Sequence, residues 1–183
     1  FIREQARTAP LFWEMLDHHF GWLPNQQKQS SGKRLRPVLA LMVGQAVTNG
    51  EYHHVMPAAA GIELIHNFTL IHDDVMDKSL ERRHRATVWS VWGENQAINA
   101  GDGLYSLGLL SATQVIQQGV RGEKSVELMG ILLKACLSTV EGQVLDLGFE
   151  QRMDVTPDEY LTMIAYKTGM LIQASALAGA LLS

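Results

Sequence analysis

One stretch decides the fold: Ala60-Gly61-Ile62-Glu63-Leu64-Ile65-His66-Asn67-Phe68-Thr69-Leu70-Ile71-His72-Asp73-Asp74-Val75-Met76-Asp77, a largely apolar helical pattern that runs directly into three carboxylates. On a helix Asp73 and Asp77 lie one turn apart and point the same way, whereas Asp74 lies about 100° round the axis. Charges at the end of a buried helix are expensive unless they are paired. Two parallel carboxylates suit magnesium, which is usually bound by one or two carboxylates together with substrate phosphates.

Two guanidiniums, Arg82 and Arg83, follow five residues after Asp77. Three carboxylates and two guanidiniums so close together are typical of a site that holds a diphosphate through metal ions. The alternative, a solvated acidic helix followed by a basic turn, satisfies the helix macrodipole and needs no ligand. The apolar helix upstream favours the diphosphate interpretation. As adjacent residues at a helix end, the two arginines are expected to point about 100° apart and to reach different diphosphates.

Length and composition favour one ordinary globular domain over residues 1–183. The chain is 46% hydrophobic and 19% charged, and it is long enough to bury a sizeable core. A net charge of -4 argues against nucleic acid as a partner. The single Cys136 cannot form an internal disulfide and is interpreted as buried helix filler. The segment Phe1 to Arg7 has no apolar signal-peptide core, so a cytoplasmic protein is expected.

Apolar residues recur at three- and four-residue steps almost throughout, which predicts an all-α protein. The expected helices are Leu11 to Phe20, Pro37 to Val47, Val55 through the aspartates, Thr87 to Gln118, Lys124 to Glu150, and Pro157 to the end, with a polar loop from Asn25 to Gly32. Gly101, Gly103 and Gly108 lie in helical sequence with no strand before them, which favours close helix packing over a phosphate-binding loop. The pairs His18-His19 and His53-His54 lack facing metal-site geometry and are predicted at the surface.

The final helix, Met170 to Leu182, is apolar but short of the ~20 residues that a membrane span needs, and it carries Gln173 and Ser175. We therefore expect a core helix and no membrane span. This pattern runs to Ser183 without a stop signal. Together with the missing starting Met, this unfinished helix suggests a fragment of a longer protein that is truncated at its C-terminal end.

A second phosphate site is plausible at Gly32-Lys33-Arg34-Leu35-Arg36-Pro37, which sets three cations at a helix start where backbone N–H groups also favour an anion. The alternative is an exposed basic turn. His66 lies seven residues before Asp73 and shares its helix face within about 20°. It could donate to a bound phosphate, and the alternative is a satisfied core histidine.

Two weaker patterns lie further along the chain. Gln143 and Asp146 offer an amide and a carboxylate at i, i+3, with a helix surface as the alternative. Lys167-Thr168-Gly169 sets a cation, a hydroxyl and a glycine in an otherwise apolar helix. Glycine there weakens the helix by roughly 1 kcal/mol relative to alanine, so a local break that exposes carbonyls toward a pocket is predicted.

Taken in order, these motifs resemble the trans-prenyltransferases, the chain-elongating isoprenyl diphosphate synthases of the polyprenyl synthetase family. The match spans nearly the whole chain and rests on Gly32-Lys33-Arg34-Leu35-Arg36-Pro37, His66, Asp73-Asp74-Val75-Met76-Asp77, Arg82-Arg83, Gly142-Gln143-Val144-Leu145-Asp146 and Lys167-Thr168. The resemblance implies a bundle of long antiparallel helices around a deep apolar cavity, usually as a homodimer. It also implies Mg²⁺-dependent condensation of an allylic diphosphate with isopentenyl diphosphate, without a protein nucleophile.

The resemblance also assigns roles. Metal binding on the allylic diphosphate is implied for Asp73 and Asp77, and through water for Asp146. Contact with the allylic diphosphate is implied for Arg82, Lys167 and Thr168, with Gln143 as a further substrate-binding residue. Contact with isopentenyl diphosphate is implied for Lys33, Arg36, His66 and Arg83.

Product length is predicted from Phe68, about one and a half helical turns deeper than Asp73, where its ring can floor the cavity next to the small Thr69. The resemblance then implies a short-chain C15–C20 enzyme, with C20 geranylgeranyl favoured over C15 farnesyl; the alternative is simple core packing. The chain departs from the family in having His84 where glycine is common, and in lacking a second aspartate-rich motif. The 183 residues alone are therefore expected to be inactive. A non-catalytic regulatory subunit and a class I terpene cyclase remain as alternatives.

Overall fold

The computed structural model describes residues 8–23, 32–48 and 50–183, and this part of the chain is predominantly helical. The α-helices are α1 Pro10–Phe20, α2 Leu35–Val47, α3 Met56–Met76, α4 Val88–Trp92, α5 Glu94–Thr113, α6 Gly122–Phe149, α7 Pro157–Ile164 and α8 Met170–Leu182. Two short strands, β1 Glu81–Arg82 and β2 Arg85–Ala86, pair antiparallel with Glu81 opposite Ala86 and Arg82 opposite Arg85. The predicted all-α class is confirmed.

Helix α1 begins and ends where its sequence indicates. Pro10 occupies the first turn, where its missing N–H costs nothing, and Gly21 ends the helix at φ 70. The N–H of Trp22 returns to the carbonyl of Asp17 at 2.8 Å, which closes the last turn. Most of the polar loop predicted from Asn25 to Gly32 lies outside the described residues.

Two long predicted helices are interrupted. The stretch from Thr87 to Gln118 is divided at Gly93, because its φ of 84 cannot continue an α-helix, and it finishes in a 3₁₀ segment at Gln114–Gln118. The stretch from Pro157 onward contains a π-helical segment at Ala165–Gly169 between α7 and α8. The predicted irregularity at Lys167-Thr168 is therefore present, as a widened helical turn and not as an open break.

The chain divides into two compact units by its contacts: Phe1–Arg34 with Glu63–Leu110, and Leu35–Ile62 with Ser111–Ser183. The first unit is built around a hydrophobic cluster from α1, α3, α4 and α5. A Cβ on Gly101 would lie 2.3 Å from the His72 ring, and one on Gly103 would lie 2.2 Å from the Phe12 ring. Close helix packing, the reason predicted for these two glycines, is confirmed.

In the second unit α8 packs against α2 and α6. Residues Leu171, Ala174, Ala178 and Leu182 of α8 are buried, so the prediction that this helix belongs to a core is confirmed. Glycine permits the contact, since a Cβ on Gly179 would lie 2.3 Å from the carbonyl oxygen of Ala40.

Among the described residues α6 is long and apolar enough to cross a membrane, judged by length and composition alone. A core helix passes the same test, and Leu128, Leu132 and Ala135 of α6 are buried in the second unit. Cys136 on the same helix is also buried, and burial raises the pKa of its thiol to about 11. This agrees with its interpretation as helix filler.

Candidate functional site

The three carboxylates at the end of α3 have different surroundings. The N–H of Asp77 bonds the carbonyl of Asp73 at 2.8 Å, which places these two residues one helical turn apart as their spacing predicts. Asp73 is half-buried and Asp77 is exposed, whereas only 2% of Asp74 is exposed. Asp73 and Asp77 are therefore the pair that can meet a ligand from solvent.

Asp74 forms an ion pair with Arg82, whose Nε donates to Asp74 Oδ1 at 2.8 Å. Burial raises the pKa of Asp74 to about 6, and the nearby carboxylates act in the same direction, while the charge of Arg82 opposes the rise. The third carboxylate is thus enclosed with an arginine partner. It holds Arg82 and does not face solvent with Asp73 and Asp77.

The arginine pair lies in a β-hairpin and not at a helix end, so that expectation was wrong. Helix α3 ends at Met76 because Lys78 takes a left-handed conformation, φ 53, and the N–H of Ser79 returns to the carbonyl of Asp74 at 3.0 Å. Arg82 then lies in β1. Arg83 and His84 form a two-residue turn with φ values of 54 and 61, the pattern of a type I′ hairpin.

His84, which stands at a position where glycine is common, is one of the two central residues of this turn. A type I′ turn needs positive φ at both central residues, which glycine adopts without strain and which other residues adopt uncommonly. Here His84 itself adopts the left-handed conformation, so the turn forms without glycine.

The base of the hairpin is fixed by the residues that begin α4. The N–H of Thr87 bonds the carbonyl of Leu80 at 3.0 Å, and its hydroxyl donates to the carbonyl of Ser79 at 2.8 Å. Trp89 Nε1 donates to the same Ser79 carbonyl at 2.7 Å. These hydrogen bonds join the base of the hairpin to the start of α4.

Arg83 lies against the start of the basic motif. A Cβ on Gly32 would lie 2.7 Å from Arg83 Nη2, so only glycine leaves room for the guanidinium there. Burial lowers the pKa of Arg83, the carboxylate of Glu63 opposes this, and the charge of Arg34 adds to it. The structure thus brings Gly32, Arg34 and Arg83 together within the first unit. Lys33 is exposed.

The sequence did not predict a polar network that joins α1 to α3. The ring of His19 donates from Nε2 to Asn67 Oδ1 at 3.0 Å, and Asn67 Nδ2 donates to the carbonyl and to the carboxylate of Glu63 at 2.7 and 3.1 Å. Burial lowers the pKa of His19 to about 3, so the ring is neutral. Both histidines are half-buried, so the predicted surface placement does not hold for His19, whose ring lies within this network. The i, i+4 spacing of Glu63 and Asn67 was the one available signal.

The remaining predicted residues of α3 are half-buried on the same helix. Thr69 donates from its hydroxyl to the carbonyl of His66 at 2.8 Å. Phe68 packs against the hydrophobic cluster of the first unit, and its ring meets those of His72 and Tyr105 edge to face at 5.3 and 5.2 Å. Phe68 therefore forms part of an aromatic group next to the core.

In the second unit Lys167 donates from Nζ to the carboxylate of Asp146. Gly142 permits this approach, because a Cβ there would lie 2.2 Å from the backbone nitrogen of Lys167. Gln143 is buried, so the alternative of a helix-surface position is wrong for this residue. Thr168 is exposed on the π-helical segment.

No group of three or more His, Cys, Asp or Glu side chains within residues 8–23, 32–48 and 50–183 is arranged to hold a metal ion by itself. Asp73 and Asp77 nevertheless fit magnesium, because this ion takes oxygen ligands and is commonly bound by two carboxylates with substrate phosphates and water.

Comparison with known proteins gives consistent results. The family model described as Polyprenyl synthetase matches residues 23–183. A geranylgeranyl diphosphate synthase of Methanosarcina mazei is 45% identical over 153 residues, which are 84% of this chain and 46% of that protein. A (2E,6E)-farnesyl diphosphate synthase of Mycobacterium bovis is 37% identical over 186 residues, 100% of this chain and 50% of that protein.

The solved structures include a geranylgeranyl pyrophosphate synthetase from the archaeon Geoglobus acetivorans. It is 36% identical and superposes with a TM-score of 0.84 over 99% of this chain and 55% of that chain. The chain thus spans about half the length of the curated relatives that it matches.

Proposed function

The chain belongs to the polyprenyl synthetase family, and from this premise we propose that the protein is a magnesium-dependent trans-prenyltransferase. It condenses an allylic diphosphate with isopentenyl diphosphate to a short-chain product. The observation that carries the proposal is the pairing of two ligand-accessible carboxylates, Asp73 and Asp77, with an arginine hairpin that begins four residues later. These are the charges that a diphosphate and its metal ions require.

For the allylic diphosphate, Asp73 and Asp77 would hold magnesium, which when bound would offset the negative charge of the leaving group. Arg82 contacts the same diphosphate, and its bond to the buried Asp74 limits the number of directions in which the guanidinium can point. Lys167, Thr168 and Gln143 are further proposed contacts, and Asp146 would hold a metal ion through water. In the structure Asp146 bonds Lys167, so it also orients that cation.

For isopentenyl diphosphate, the proposed ligands are Lys33, Arg36, His66 and Arg83. Support comes from the contact of Arg83 with Gly32 and from the nearby charge of Arg34, which gather positive charge beside a glycine backbone. Glu63 offsets part of that charge when no substrate is present.

The reaction breaks the allylic carbon–oxygen bond, and the electron pair leaves with the diphosphate. The double bond of isopentenyl diphosphate then attacks the carbocation, and the departing diphosphate takes the released proton. The chain contributes charge stabilisation through its arginines and exclusion of water through apolar side chains. Phe68 is proposed to floor the apolar cavity and to favour a C20 over a C15 product, supported by its packing with Tyr105.

A second copy of the chain is the proposed partner, in the cytoplasm. Helix α6 carries exposed apolar side chains along one stripe, namely Val126, Leu133, Leu137, Val140 and Val144. Such a stripe suits helix pairing between protomers. Light scattering of the wild type and a Leu137→Glu variant tests this, since a dimer through α6 should be lost in the variant.

The test of the proposed function is incubation of the whole protein with magnesium, an allylic diphosphate and labelled isopentenyl diphosphate. Label in a longer prenyl diphosphate is expected. Consumption of the allylic substrate without isopentenyl diphosphate would indicate a terpene cyclase instead. Substrate binding without turnover would indicate a regulatory subunit.

A further inference from the structure

A third arginine follows the pair, and its side chain bonds helix α1. Arg85 lies in β2, and its Nη2 donates to the carbonyl of His19 in the last turn of α1 at 3.0 Å. A Cβ on Gly21, the residue that ends α1, would lie 2.4 Å from Arg85 Nη1. The guanidinium therefore occupies the space left by a residue without a side chain, at the negative end of the α1 dipole.

A second bond joins the same helix turn to the same strand. His18 Nε2 donates to the carbonyl of Ala86 at 2.8 Å. Both residues of β2 are thus attached to the C-terminal turn of α1, one through its side chain and one through its backbone. We call this pair of bonds the α1 clamp.

The clamp matters because the hairpin is too small to be rigid by itself. Strands of two residues joined by a two-residue turn are only marginally stable in water. Asp74 holds the side chain of Arg82, and Arg85 is the cross-strand partner of Arg82. The position of β2 therefore determines the backbone from which Arg82 and Arg83 extend.

We propose that Arg85 is a positioning residue, which holds the hairpin against α1 so that Arg82 and Arg83 meet the diphosphates in the required directions. This inference rests on the proposed function, because it concerns the same arginine pair. It separates the three arginines by role, since Arg85 acts on the hairpin and not on the substrate.

The test perturbs the clamp from both sides. Arg85→Ala removes the bond, and Gly21→Ala keeps every charge but places a Cβ where the guanidinium lies. The matched control is Gly119→Ala, because Gly119 has a similarly positive φ, 84, and a Cβ added there would have nothing within 4 Å. Arg85→Lys, which retains a donor for the His19 carbonyl, serves as the conservative variant.

Two measurements are made on the whole protein. Amide hydrogen exchange reports the order of residues 81–86, and calorimetric titration with isopentenyl diphosphate reports its affinity. We expect faster exchange in the hairpin and roughly tenfold weaker binding for Arg85→Ala and Gly21→Ala, on the scale of one charge-assisted hydrogen bond. Gly119→Ala should match the wild type in both, and Arg85→Lys should recover part of the affinity.

The outcomes separate the two claims. If the wild type binds isopentenyl diphosphate and both clamp variants bind it equally well, the positioning role is overturned while the proposed function stands. Weaker binding in Arg85→Ala with unchanged hairpin exchange also overturns it, since Arg85 would then be a direct ligand. If the wild type binds no diphosphate, the proposed function fails, and the inference fails with it.

Discussion

Replacing Asp74 with asparagine should make the folded protein more stable near neutral pH and, at the same time, weaken its use of the allylic diphosphate. The carboxylate is 2% exposed, and burial raises its pKa above the ordinary value of 3.8 to about 6 in spite of the bond from Arg82. The folded state thus favours the neutral form of this side chain. An asparagine is neutral at every pH, has nearly the same shape, and can still accept the bond from Arg82.

The size of the effect follows from proton linkage. A carboxyl whose pKa is raised on folding binds more protons in the folded state, so its contribution to stability falls as pH rises from about 4 to about 6. A rise from 3.8 to about 6 corresponds to about 3 kcal/mol, as an order of magnitude. Asp74→Asn should remove this loss. Above pH 6 the free energy of unfolding of the variant should therefore exceed that of the wild type by up to about 3 kcal/mol, and at pH 4 the difference should be small.

The assay is urea unfolding of the wild type and of Asp74→Asn at pH 4.5 and pH 7.5, followed by helical circular dichroism. Asp77→Asn is the matched control, because Asp77 is exposed and its charge carries no such cost of burial. The reasoning is refuted if the difference between wild type and Asp74→Asn is the same at both pH values, or if Asp77→Asn reproduces it. In the whole protein, the Michaelis constant for the allylic substrate should rise, since a neutral oxygen holds Arg82 less firmly.

The other predictions concern the whole protein. Asp73→Asn and Asp77→Asn should each lower turnover at saturating magnesium by about a hundredfold or more, and near-wild-type rates in both would contradict the metal-ligand assignment. Arg83→Ala should raise the Michaelis constant for isopentenyl diphosphate more than that for the allylic substrate; equal changes would refute the division of labour. Phe68→Ala should lengthen the product, and an unchanged chromatographic profile would count against a cavity floor. The 183 residues alone should give no elongation, so multiple turnovers would show that this part suffices.

How much of the site could be predicted depended on the range of the interactions. The i, i+4 relation of Asp73 and Asp77 follows from helical periodicity, and the structure reproduces it. The hairpin could not be predicted in the same way, because Lys78, Arg83 and His84 adopt a left-handed conformation that is uncommon for residues other than glycine. The local sequence favoured a helix that continues to the arginines. Tertiary contacts produced a hairpin there instead.

Contacts between distant residues account for the other differences. His19 and Asn67 are 48 positions apart, and nothing in the sequence near His19 indicates a partner. Gln143 could not be placed inside because its polar side chain is typical of a helix surface. The irregularity at Lys167-Thr168 was predictable from a glycine within an apolar helix, whereas its π-helical form was not.

The α1 clamp also has a consequence for the order of folding. The bonds at the base of the hairpin join residues seven to ten positions apart, whereas His18 and Ala86 are 68 positions apart. Closing a short loop takes a small fraction of a millisecond and little entropy, while the long closure has a larger entropic cost. The base of the hairpin can therefore form early, whereas the bonds between α1 and β2 form only when α1 docks. If the α1 clamp sets the arginine pair as we propose, the pair reaches its final geometry only after α1 has joined the core of the first unit.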